Sequence, residues 1–239
     1  MGNFNIISFT DLMQYGCAEE KPQPSSELQK TEDNHEKPNA VVAVTEGRQV
    51  INDGVFIQDI NHKLWKICDW DNSVKPNAIA VISKKTNFLI ALDQSESRKP
   101  LSLSHNTPLE KCMTLIESTK EAKADYSGAR NTANILKVEP SNVCAAAYCD
   151  KFVFPDGKTK GYLPSFGQLY LACQNKTVID AALSKCGGTK MRGYFASSTL
   201  WHLYSTGDRR CYMLSWDDDL LCACRLDYHF DVRPFANFN

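Results

Sequence analysis

From Met191 to Asn239 the chain contains no Lys, Glu or Gln, three of the better helix formers, so its last stretch is confined to strands and loops. The residues just before it read in the opposite sense. Ser165 followed three residues later by Gln168, with Pro164 ahead, is a capping box, and it predicts a helix over Phe166 to Gln174. Thr177 and Asp180 repeat the device and predict a second helix over Val178 to Lys185, stopped by Gly187-Gly188. A capped helix pair followed only by strands points to an α+β chain whose carboxyl third is a sheet.

Within that sheet region, Leu200 to Asp231 mixes Trp, His, Arg, Tyr, Cys and Asp with neither a helical nor a strand period. The flanks read as scaffold and this segment as a binding surface. Aromatic and Arg side chains supply most contact energy in such surfaces, which singles out Trp201, Tyr204, Arg209, Arg210, Tyr212, Tyr228 and His229. For Tyr212 and Phe230 a core role is equally consistent with the sequence.

Upstream, Gly54 to Trp65 predicts two short strands around an Asn61-His62 turn, and Asn77 to Ser83 with Phe88 to Leu92 predicts a hairpin. Leu109, Cys112, Met113 and Ile116 have helical spacing within Pro108 to Ala124. Ser141 is the expected N-cap of a helix carrying Val143, Ala146, Ala147 and Phe152, closed by the Pro155-Asp156-Gly157 turn.

With 239 residues, 43% of them apolar, the chain can bury a full core; a net charge of −1 gives no general attraction to nucleic acid or anionic membrane. No apolar run has membrane-spanning length. Residues 1–17 form a short segment with apolar positions but no Lys or Arg ahead of them, a poor secretory signal, and Gln14-Tyr15-Gly16-Cys17 is only faintly like a lipoprotein site. Residues 18–40, with no aromatic and one Leu, are expected to be a disordered linker, leaving 41–239 as the folded domain. The ten cysteines match no metal spacing and are expected to be mostly reduced; Cys222 and Cys224 would share one strand face, where a metal or redox pair is an alternative to small core residues.

Gly161-Tyr-Leu-Pro-Ser-Phe-Gly-Gln-Leu169, Tyr194-Phe-Ala-Ser-Ser-Thr199 and Val232-Arg-Pro-Phe235 resemble landmarks of C-type-lectin-fold domains in bacterial and phage proteins. Asp125 to Thr132 and Ala145 to Asp150 add to the likeness. Over about residues 50 to 239 the chain is similar to the variable proteins of diversity-generating retroelements, of the gut Bacteroides and phage type. In that family, template Asn codons scatter at their adenines into residues such as Tyr, His, Asp, Ser, Cys, Leu and Arg, but never into Lys, Glu or Gln. The resemblance implies a C-type lectin fold, a mostly antiparallel sheet with two or three helices, and a variable region at about 194–231. It implies display on a phage virion or bacterial cell surface, and an unidentified protein or carbohydrate receptor. The implied variable surface is Leu200, Trp201, His202, Tyr204, Asp208, Arg209, Arg210, Tyr212, Ser215, Asp217, Asp218, Leu221, Cys222, Cys224, Leu226, Tyr228, His229 and Asp231. Trp201, Met213 and Trp216 depart from the pattern, because such codons cannot yield them, and Trp216 is assigned to the fixed frame. Phe195 and Ala196 replace the family's usual residues ahead of Ser-Ser-Thr, so these two positions are variable or drifted.

No catalytic residue, metal or cofactor is expected, and neither nucleic-acid binding nor membrane insertion; homo-oligomerisation or tail assembly through residues 1–17 is left open. Two alternatives stand beside this reading. Asp217-Asp218-Asp219 could serve calcium-dependent sugar binding. The same fold resembles formylglycine-generating enzymes, whose cysteine pair would correspond to Cys222 and Cys224.

Overall fold

The computed structural model describes residues 53–104, 107–109, 113, 115–202, 209–218 and 220–238. The expected amino-terminal segment and linker lie outside the described residues. So do Tyr204 and Asp208.

The chain is mixed α+β, and every pairing between its named strands is antiparallel. Strands β1 (Gly54–Asp59) and β2 (Leu64–Trp65) form the first hairpin, with His62 at φ 66° in its turn. Asp59 organises that turn by accepting from the Asn61 and Lys63 backbone N–H groups and from Trp65 Nε1. Strands β3 (Pro76–Ile82) and β4 (Phe88–Ile90) follow as the expected second hairpin. The carboxyl-terminal strand β10 (Phe235–Asn237) returns beside β4 and completes a five-stranded sheet in the order β10-β4-β3-β1-β2. Between them come β5 (Lys99–Pro100), which pairs β9 (His229–Phe230), and a three-stranded sheet of β6 (Tyr194–His202), β7 (Arg209–Ser215) and β8 (Leu221–Arg225).

Among the described residues the α-helices are α1 (Thr119–Ala122), α2 (Gly128–Val138), α3 (Ala145–Lys151), α4 (Phe166–Gln174) and α5 (Lys176–Lys185). The capping box at Ser165 and Gln168 is present. The helix stop is present too: Gly187 sits at φ 80° and the Gly188 N–H reaches the Leu183 carbonyl at 2.8 Å, a six-to-one closure.

Three local features differ from expectation. The second capping box does not form, because Asp180 is taken up elsewhere by the Met191 N–H and by Trp216 Nε1; α5 starts one residue after α4, with Asn175 between them. Helix α3 is capped at Cys144 rather than Ser141, whose own N–H donates to Glu139, and Val143 is exposed. In the 108–124 region Thr119–Ala122 is helical, capped by Ser118; Leu109 lies in a 3-10 turn with the Met113 N–H bonded to its carbonyl at 3.1 Å, both residues are buried, and Cys112 lies outside the described residues. Helix α2 was not foreseen. Its buried side includes Asn131 and Thr132, which break the apolar stripe that identifies a helix.

The main core lies between the five-stranded sheet (Ile57, Ile79, Phe88, Ile90), helices α4 and α5 (Phe166, Leu169, Ile179, Leu183) and one face of the three-stranded sheet (Trp201, Tyr212, Leu214, Trp216). A second core lies on the opposite face of that small sheet, where Leu200, Cys211, Met213, Cys222 and Cys224 meet Leu101, Ile135 and Ala145. The three-stranded sheet is therefore covered on both faces.

Candidate recognition surface

The stretches that carry the family likeness come together as a buried polar knot. Asp125 accepts from the Ser127 N–H (2.9 Å), Asn131 Nδ2 (3.1 Å) and Thr199 Oγ1 (2.6 Å), while its carbonyl receives Ser165 Oγ (2.6 Å) and the Gly167 N–H (3.0 Å). Thr199 Oγ1 in turn accepts from the Phe166 N–H, and Gln168 Nε2 donates to the Tyr162 hydroxyl. A Cβ on Gly128 would lie 2.4 Å from Gln168 Oε1 and 2.9 Å from the Ser165 nitrogen, so the approach of α2 to the α4 cap requires glycine there. These segments tie α2, α4 and β6 into one frame. Buried polar groups fully paired in this way fix one arrangement of elements.

That frame decides where the residues of the 200–231 segment point. In β6, β7 and β8 the register sets Trp201 opposite Arg210 and Arg210 opposite Arg225. The row is continued inward by Tyr212 and Ala223 on the same face, which is why it begins in solvent and ends in the main core. Exposure was expected across the segment and does not hold for Leu200, Trp201, Tyr212, Ser215, Cys222, Cys224 and Leu226, all of which are buried. The reason is the second core: a sheet covered on both faces has no solvent side for alternate residues. Tyr212 resolves to core, its ring tilted 35° to that of Phe166 at 4.9 Å between centroids and its hydroxyl donating to the Ile116 and Glu117 carbonyls. Phe230, Phe195 and Ala196 are buried as well, as is the frame residue Trp216.

The remaining residues fall in three places. Arg209, Arg210 and Tyr228 lie at the end of the sheet where β6 turns into β7. Asp217, Asp218 and Leu221 lie at the other end of β7, about 20 Å away for a seven-residue strand. His229 lies in β9 opposite Pro100, and Asp231 follows that strand, accepting from the Tyr194 N–H and pairing with Arg98. The expected single surface is thus divided.

The hairpin end has the chemistry of a recognition surface. The Arg210 guanidinium lies 5.9 Å from the Trp201 ring centroid, and that of Arg225 lies 5.7 Å from the Tyr228 ring. Arg225 is held by Asp227 through Nε (3.1 Å) and Nη2 (2.7 Å), a two-point grip that fixes the plane of its guanidinium. Arg225 and Asp227 were not singled out from sequence, although both lie inside the 200–231 segment. Their partnership with Arg210 is a register relation across strands, which no local pattern reveals.

The other chemistry considered from sequence meets different surroundings. Cys222 and Cys224 do share a face, but that face is the second core, and Cys224 Sγ sits 3.0 Å from Met213 Sδ. Burial pushes the Cys222 thiol up to about 12 and the Cys224 thiol up to about 11, so both are protonated near neutral pH. Asp217 accepts from the Gly193 N–H, and Asp218 pairs with Ser215 Oγ, so these carboxylates are engaged in closing their turn. Among the described residues no group of three or more His, Cys, Asp or Glu is placed to hold a metal ion, and no helix is long and apolar enough to cross a membrane. Comparison with protein-family models, curated proteins and solved structures gave no match to this chain.

Proposed function

We propose that this chain is a receptor-recognition protein built on a C-type lectin fold, of the variable-protein type of diversity-generating retroelements. Its contact surface is the β6–β7 hairpin end, which carries Arg209, Arg210, Arg225, Asp227 and Tyr228. The observation that carries the reading is the division of the 200–231 segment. Its inner residues belong to two cores, while its outer Arg and Tyr residues sit at one end of a sheet already packed on both faces. Such residues can be exchanged with little cost to folding, and they are of the types that dominate protein–protein contacts. The partner is a protein or carbohydrate receptor, and the protein is displayed on a phage tail or a bacterial cell surface.

The neighbouring DNA provides the test. The proposal expects a near-copy of the 3′ coding end that differs only at adenines, beside a reverse-transcriptase gene. Its mismatches should fall in codons for half-buried positions at the sheet end such as Arg209, Arg210, Arg225 and Tyr228, and should spare Trp216 and Val232. A locus with no such copy, or mismatches spread evenly over core codons, would contradict it.

A further inference from the structure

A second concave site lies just before β6, about 25 Å along that strand from the hairpin end. Residues 93–97 form one wall and 189–192 the other, with Lys99 and Tyr148 between them, around a cleft of about 960 Å³. The walls are tied together by the Thr189 N–H, which donates to Asp93 Oδ1 at 3.2 Å. Lys99 Nζ lies 4.9 Å from the Tyr148 ring centroid and 3.3 Å from Ser97 Oγ. Lys190 and Arg192 are exposed, line the cleft, and have no hydrogen bond or ion pair among the described residues.

Behind Thr189 stands Arg233, only 1% exposed. Its Nη2 donates to the Thr189 carbonyl (2.7 Å) and hydroxyl (2.9 Å), but Nε and Nη1 have no hydrogen-bond partner among the described residues, and neither has the buried Oε1 of Gln94 on the facing wall. Burial pulls the Arg233 pKa down to about 10, against the pull of Asp93 and Asp180, so it stays charged at neutral pH. A buried guanidinium with open donors is costly unless further negative charge compensates it. Asp93 is already committed to Thr189. Lys99, Lys190, Arg192 and the buried Arg233 outnumber Asp93 and Glu96 around the cleft, so its potential favours an added anion.

We propose that this cleft binds a small hydroxylated monocarboxylate, its carboxylate held by Arg192 and Lys190 and its hydroxyl groups by Tyr148, Ser97 and Gln94. Arg192 offers a planar fork that matches a carboxylate, and Lys190 a mobile point charge beside it. The buried charge of Arg233 raises the potential of the wall without touching the ligand. The site is independent of the hairpin end, and a ligand here would leave that surface free.

The test is calorimetric titration of the full chain with gluconate, with sorbitol as the neutral counterpart and inorganic phosphate as the competing anion. Gluconate should bind saturably with a Kd of roughly millimolar order, and sorbitol should not bind. The exposed double change Lys190→Glu and Arg192→Glu should weaken gluconate at least tenfold while leaving the unliganded Tm in place; Tyr148→Phe should weaken it severalfold. Absence of gluconate binding, equal binding of sorbitol, tighter binding of phosphate, or gluconate affinity unchanged in both variants would each overturn the assignment.

Discussion

Single residues of the 200–231 segment divide into side chains that reach solvent and side chains that only look suited to it. Trp201 has the chemistry of a binding residue and is only 6% exposed, in the main core. Arg210, opposite it, is half-buried and marks the boundary. The sequence could not make this distinction, because alternation reports a solvent face only when one face of a sheet is open. Glycine is the other residue type whose role depends on distant neighbours. Gly128→Ala should destabilise the protein by about 1–3 kcal/mol, since the new methyl meets both the Gln168 side chain and the Ser165 backbone, and urea unfolding would measure it.

At the scale of elements, what was legible was local. The start of α4 at Ser165, the stop after Lys185 and the two amino-terminal hairpins depend on residues within a few positions of one another, and all are present. Helix α2 was hidden because its buried side carries Asn131 and Thr132, whose partners, Asp125 and the Leu163 carbonyl, lie outside the helix. The motif at Ser165 proved to do more than cap. Its hydroxyl also holds the Asp125 carbonyl, so Ser165→Ala removes a cap and a tertiary contact together. The expected loss is roughly 1–3 kcal/mol, above that of an isolated N-cap, measured as a shift in denaturant midpoint at unchanged m-value.

For the whole molecule, the buried thiols predict how stability depends on pH. Cys144, Cys222 and Cys224 have an ordinary value of 9.0 and are raised in the folded state to about 11, 12 and 11, chiefly by burial. A thiol that holds its proton more tightly when folded stabilises the fold fully below about pH 9, and that contribution disappears as pH rises through the folded value. Unfolding free energy should therefore fall between pH 9 and about 12. Replacing Cys222 and Cys224 with Ala should make that slope shallower, while lowering stability at pH 7 through lost packing.

The proposed function requires that the outer part of the 200–231 segment rest on a frame that does not need it. Guanidinium unfolding of two variants decides this directly. One carries Arg209→Ser, Arg225→Ser, Asp227→Ser and His229→Ser; the other carries Trp216→Ala alone. The outer set, half-buried apart from the exposed His229, should cost no more than about 2 kcal/mol in total, at about 0.5 kcal/mol per site, and the single core truncation roughly 3–5 kcal/mol. A loss from the outer set equal to or larger than that from Trp216→Ala would mean that these residues hold the fold together, and the recognition surface would have to be sought elsewhere.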